Sequence, residues 1–198
     1  PVLWGFILLN QLRDPAQREP THREESGTFT HALWQLIAPE RIGILFLCYA
    51  NICRSPLAEG IFCHLVRERG VTDRFFVDSA GVSAIEGAGP HRNSIAVARA
   101  HGIGVAGVAR QLVRDDLFRY THILVMDRYV LSQLTRLRGP GASEPPAKLR
   151  LFQKLLNPDA IAEELDINDP ISGTYTDFEA TFQTLRTGCE ALLDELLS

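Results

Sequence analysis

The stretch LFLCYANICRSPLAEG (residues 45–60) passes from an unbroken apolar run, through a short loop, into the start of a helix. ILFLC (44–48) has strand length and is apolar at every position, as a strand buried on both faces would be. SPLAEGIFCHLVRERG (55–70) puts Ser55 at a capping position and Pro56 at the first helical position, and it closes on Gly70. Cys48 therefore ends a strand and Arg54 stands at the mouth of a helix. The residues between them, Tyr49, Ala50, Asn51, Ile52 and Cys53, can curl so that successive backbone N–H groups point inward. The unpaired N–H groups and positive dipole end of the helix near Ser55 join them. A phosphate-sized dianion suits such a cradle, and Arg54 adds a planar, two-pronged contact that lysine cannot reproduce. A thiol at the floor feels the same field, and the thiolate is the attacking form of cysteine. Cys48 is thus the expected nucleophile, with the Ser55 hydroxyl placed to donate to it.

Outward from this stretch the pattern repeats. FFVDSAG (75–81) reads as a second strand, HRNSIAVARAHG (91–102) as a helix, THILVMD (121–127) as a third strand and RYVLSQLTRLRG (128–139) as a helix. RGPGASEPPA (138–147) is a loop by its Pro and Gly content, KLRLFQ (148–153) a fourth strand and NDPISGTY (168–175) another loop. DFEATFQTLRTGCEALLDELL (177–197) is a long amphipathic helix with Phe178, Phe182, Leu185, Cys189 and Leu192 along one face. Alternating apolar strands and helices predict an α/β, three-layer, doubly wound fold with a four-stranded parallel sheet and the phosphate-binding loop after its first strand. Such sheets bind ligands at the carboxyl ends of the strands.

At 198 residues the chain is one domain with a short appendage. Its 45% hydrophobic and 22% charged residues exclude a wholly disordered or collagen-like chain. A formal charge of −4 gives no general electrostatic case for nucleic acid or anionic lipid as partner. Cys48, Cys53, Cys63 and Cys189 are spaced too irregularly for a secreted disulfide scaffold and include no C-x-x-C pair, so a reducing cytoplasm is expected. His64, His91, His101 and His122 lack metal-ligand spacing; no metal or other cofactor is expected.

Residues 1–40 read as an N-terminal extension and 41–198 as the main domain. VLWGFILL (2–9) is far shorter than the roughly 20 residues that span a bilayer. With no basic stretch before it and no initiator methionine, it reads as a fragment end rather than a signal peptide. QLRDPAQREPTHREESGT (11–28) has the composition of a disordered arm, and THALWQLIAPE (30–40) that of a short packing helix.

At Cys48, Arg54, Ser55 and Pro56 the chain resembles the low-molecular-weight protein tyrosine phosphatases, whose signature is a strand ending in C(x)5R followed by Ser-Pro. The likeness continues through VDSAG (77–81), HGI (101–103), ARQL (109–112), ILVMDR (123–128), Asp169-Pro170 and DFE (177–179). It implies metal-free hydrolysis of phosphate monoesters, phosphotyrosine in proteins foremost, through a phosphocysteine. By position Cys48 is the nucleophile, Arg54 the phosphate clamp and Asp169 the acid that protonates the leaving oxygen and later activates water. An Asp before a Pro in a polar loop is a sensible donor outside the cradle, with Asp127 and Asp166 the carboxylates to compare. Asn51 matches a loop asparagine of left-handed conformation, supported by Ser55 and Ser79. Cys53 matches the second member of a cysteine pair, which implies redox protection of Cys48.

The chain departs from that pattern in four places. Ala50 replaces a glycine, where a positive φ would cost the methyl roughly 1 kcal/mol. Gly107 replaces a histidine that supports the loop asparagine, leaving the task to Ser55, Ser79 or water. Ile85 replaces an aromatic wall of the substrate slot, and Ile171 and Ser172 replace another. The expected walls are then Tyr49, Ile85 and Ile171, with Tyr49 or Tyr175 as the aromatic surface. The competing readings are an arsenate reductase on the same fold, which needs outward-leading cysteines, and an inactive phosphoprotein-binding module, which would have lost Cys48, Arg54 or Asp169. Oligomeric state is not encoded in any motif.

Overall fold

The computed structural model of the chain describes residues 41–139, 147–161 and 164–198. The readings made for residues 1–40 and for the loop over 140–146 lie outside the described residues. Strand β1 (Ile42–Cys48) is followed by helix α1 (Arg54–Glu68), β2 (Phe75–Gly81), α2 (Arg92–Ala100), a four-residue helix α3 (Asp116–Arg119) and β3 (His122–Val125). Then come α4 (Arg128–Arg138), β4 (Lys148–Leu151), α5 (Gln153–Leu156), a 3-10 turn at Pro170–Ser172 and α6 (Tyr175–Leu197). The four strands lie in the order β2-β1-β3-β4, all parallel.

β1 is central, and its unbroken apolar run has the expected cause. Ile44, Phe46 and Cys48 face a core shared with α1, α2 and α6, whereas Leu45 and Leu47 face a second core with α3 and α4. The first core is aromatic at its centre, where Phe46 lies 5.9 Å from Phe62 and 6.2 Å from Phe152, ring centre to ring centre. Truncating a phenylalanine buried in this way costs about 3–5 kcal/mol. The C-terminal helix supplies Phe178, Phe182, Leu185, Cys189 and Leu192 to this core, the face its spacing predicts.

Three elements differ from the sequence reading. α1 starts at Arg54 rather than behind a Ser55 cap, because the Ser55 hydroxyl is engaged with Cys48, Asn51 and the Ala80 carbonyl. α6 starts at Tyr175, two residues early, because Thr174 and Asp177 form a reciprocal capping box. β4 stops at Leu151, after which Phe152 turns into the core and α5 begins. The short α3 shows no sequence signal of its own; four residues are too few to display a helical period.

Candidate active site

The last rung of the β1–β2 ladder pairs Cys48 with Gly81, so the loop that follows Cys48 lies directly on the end of β2. A Cβ on Gly81 would come within 2.6 Å of the Tyr49 carbonyl oxygen, so only glycine lets the loop approach this closely. Five carbonyls of Cys48 and the loop are then turned outward. That of Cys48 accepts from Val82 N at 3.1 Å, Tyr49 from Ser83 N at 2.9 Å, Ala50 from Ile85 N at 3.2 Å and Ile52 from His91 N at 2.7 Å. The Cys53 carbonyl accepts from Leu57 N at 3.3 Å and Ser94 Oγ at 3.4 Å. Each peptide N–H points opposite its carbonyl, so the N–H groups of residues 49, 50, 51, 53 and 54 face the inside of the loop.

One residue must reverse the chain to close this curl, and Asn51 does so at φ 57°. Ala50 keeps a negative φ, so its methyl carries none of the strain that glycine would have relieved there. The Asn51 side chain is buried and fully engaged. Its Oδ1 accepts from Arg110 N at 2.9 Å, which fixes the amide so that Nδ2 donates to Ser55 Oγ and Ser79 Oγ, both at 2.9 Å. Ser79 Oγ donates to Glu59 Oε2 at 2.6 Å. Ser55 Oγ accepts from Asn51, lies 2.9 Å from Cys48 Sγ and reaches the Ala80 carbonyl at 3.4 Å, so its one proton is shared between a short contact to the sulfur and a long one to the carbonyl. The network thus fixes the Ser55 hydroxyl within hydrogen-bonding distance of the sulfur, where it can donate to it.

Arg54 is 3% exposed and holds its fork between two carboxylates. Nη1 donates to Asp127 Oδ2 at 2.8 Å and to the Ile167 carbonyl at 2.7 Å; Nη2 donates to Asp169 Oδ2 at 2.6 Å. Burial works against its charge, but Asp169, Cys48 and Asp127 outweigh burial and hold the guanidinium above its ordinary range. Its Nε–H is buried with no partner among the described residues, an arrangement that a phosphoryl oxygen in the loop would satisfy.

The three candidate carboxylates now separate. Asp166 is clamped by Arg128 through Nε and Nη2 at 2.8–3.1 Å, and hydrogen bonding to Arg128 holds it below the usual carboxylate range. Asp127 has both oxygens occupied, one by Arg54 and one by Val130 N at the start of α4. Asp169 is partly exposed, and among the described residues its second oxygen meets only Ile171 N, at 3.2 Å. Of the expected walls, Tyr49, Ile85 and Ile171 are all exposed, with Ile85 tied by its backbone to the loop and Ile171 following Asp169. Among the described residues, no group of three or more His, Cys, Asp or Glu side chains is disposed to hold a metal ion.

These observations match a known pattern over most of the chain, since the low molecular weight phosphotyrosine protein phosphatase model covers residues 43–198. The chain belongs to this family. A low molecular weight phosphotyrosine protein phosphatase of Sus scrofa is 36% identical over 154 residues, 77% of this chain and 94% of that one. A protein tyrosine phosphatase of Entamoeba histolytica with Hepes in its active site superposes with a TM-score of 0.71 at 25% identity, over 79% of this chain and 97% of that one. A Drosophila arginine phosphatase superposes with a TM-score of 0.71 at 28% identity, over 78% and 98% of the two chains.

Against this family background, the sequence reading missed several contributors. Arg110 lies within the ARQL landmark, but its role appears only when its backbone N–H meets Asn51. Its side chain reaches Asp78 at 3.0 Å and Asp116 at 2.9 Å. Burial opposes the Arg110 charge, while hydrogen bonding to Asp116 and the charges of Asp78 and Asp116 raise its pKa further. Glu59 and the Arg54 contact of Asp127 were also unseen, because partners so distant in sequence leave no local spacing to read.

Proposed function

We propose that the chain is a cysteine-dependent phosphatase of phosphorylated proteins, phosphotyrosine foremost, working through a phosphocysteine. The observation that carries this reading is Cys48 at the floor of a loop whose N–H groups face inward beside a buried Arg54 Nε–H that lacks a partner. In the first step the Cys48 sulfur attacks phosphorus, the S–P bond forms as the P–O bond to the leaving group breaks, and Asp169 gives its proton to the departing oxygen. In the second, water attacks phosphorus and yields its proton to the Asp169 carboxylate. The S–P pair returns to Cys48, where the Ser55 hydroxyl supports the thiolate. Arg54 and the loop N–H groups hold the equatorial oxygens throughout, an electrostatic role that needs no reorganisation during reaction.

An arsenate reductase would pass a disulfide outward, which is poorly served by Cys189, fully buried beneath α1. The measurement is turnover of an aryl phosphate by the purified chain without added metal. It should proceed and should survive a chelator; absence of turnover, or its loss to the chelator, contradicts the reading.

The cysteines are free thiols, which suits the reducing cytoplasm we propose as the protein's location. Cys53 is proposed as the partner that protects Cys48. Its thiol is pushed up to about 12, by burial first and by the charges of Asp169 and Cys48 next, so at neutral pH it keeps its proton. Peroxide would oxidise Cys48 to a sulfenic acid; the Cys53 sulfur, giving up its proton as it attacks, would form the S–S bond while the S–O bond breaks, and the departing hydroxide would take that proton and leave as water. Peroxide should therefore inactivate the protein and dithiothreitol restore it, with Cys53→Ser recovering far less. Equal recovery by Cys53→Ser, or mass spectrometry linking Cys48 to Cys63, refutes the role.

A further inference from the structure

Ile85 and Ile171, two of the expected walls, are aliphatic, yet the residue that follows Cys48 belongs to an exposed aromatic pair. Tyr129 is exposed in the first turn of α4, and its ring lies 5.8 Å from that of Tyr49 at an interplanar angle of 52°. Both tyrosines are anchored in the catalytic frame. Tyr49 follows the nucleophile directly, and its carbonyl is bound by Ser83 N. Tyr129 lies two residues after Asp127, whose carboxylate holds Arg54, and next to Arg128, which is paired with Asp166. Ile85 bounds the mouth at Ala50, and Ile171 bounds it beside Asp169.

We propose that Tyr129, paired with Tyr49, is the aromatic wall that gives this site its preference for aryl phosphate esters. The inference rests on the phosphatase reading and deepens it. A tilted pair of rings offers a further ring the offset or edge-to-face contacts that aromatic groups prefer at centroid separations of about 4.5–7 Å. Isoleucine supplies apolar contact but no such directional term. The wall therefore enters from α4, on the β3 side of the loop, and the side chains at positions 85 and 171 need only close the remaining sides. Tyr129 is a specificity residue that touches the leaving group; phosphate itself is held by the loop and Arg54.

The test compares Tyr129→Ala and Tyr129→Phe with the wild type on a phosphotyrosyl peptide and on phosphoarginine, with inorganic phosphate as inhibitor. Tyr129→Ala should raise KM for the phosphotyrosyl peptide about 3- to 10-fold. Tyr129→Phe should restore it, and the inhibition constant of phosphate should move less than about twofold, since phosphate reads the cradle alone. An unchanged KM in Tyr129→Ala overturns the proposal, as does a phosphate constant that rises in step with KM, which would place the effect on Arg54 through Asp127. Wild-type preference for phosphoarginine overturns it too. Failure of the wild type to hydrolyse any aryl phosphate would instead overturn the phosphatase reading, and this proposal with it.

Discussion

Serine in place of Cys48 is expected to lower aryl phosphate turnover by at least about 10⁴-fold, because a hydroxyl at that position is not ionised at neutral pH and replaces the sulfur that attacks phosphorus. Arg54→Ala should cost about 10³- to 10⁵-fold, the range seen when a guanidinium is withdrawn from a transferring phosphoryl group. The two variants fail differently. Cys48→Ser keeps the cradle and should still bind phosphate, whereas Arg54→Ala leaves Asp127 and Asp169 facing the loop without their counter-charge, so phosphate binding is lost as well. Arg54→Lys should remain impaired, since an ammonium cannot span Asp127, Asp169 and a phosphoryl group at once. Kinetics together with phosphate binding separate these outcomes, and near wild-type turnover in any of the three contradicts the assignment.

Asp169→Asn should slow turnover about 10²- to 10⁴-fold for leaving groups that need a proton, and less for activated aryl groups that do not. The leaving-group dependence is the diagnostic part. Asp127→Asn should also be slow, through a loosened Arg54 and α4 start, but by a similar factor for every leaving group. Asp166→Asn should be near normal, because its partner Arg128 faces solvent rather than the loop. Wild-type rates in Asp169→Asn would reassign the acid.

How far these roles could be foreseen depended on whether a residue's task is local. The strand-loop-helix passage around Cys48 was legible because apolar run, turn and helix start follow one another in the chain, and the sheet followed from strands too apolar for a one-sided surface. The left-handed conformation at Asn51 was implied by the family resemblance, and asparagine tolerates it better than most side chains. The inward turn of the loop N–H groups was anticipated, but the donors that hold its carbonyls outward were not legible, since most come from residues 82–94 across the end of β2. Nor was Tyr129: its place in α4 reads as an ordinary surface position until the β3–α4 turn brings it against Tyr49. Ser55 was misplaced as a helix cap, because its type and position suit a cap equally well and only the sulfur nearby decides otherwise.

The central claim, a covalent phosphocysteine, is tested most directly in Asp169→Asn with an activated aryl phosphate. Its first step needs no acid there, while its second still lacks a base, so the intermediate should accumulate. Rapid acid quenching and mass spectrometry of the loop peptide should find one phosphoryl group on Cys48, appearing in a burst with the released phenol. A phenol burst with Cys48 unmodified, or a phosphoryl group on another residue, would contradict the account.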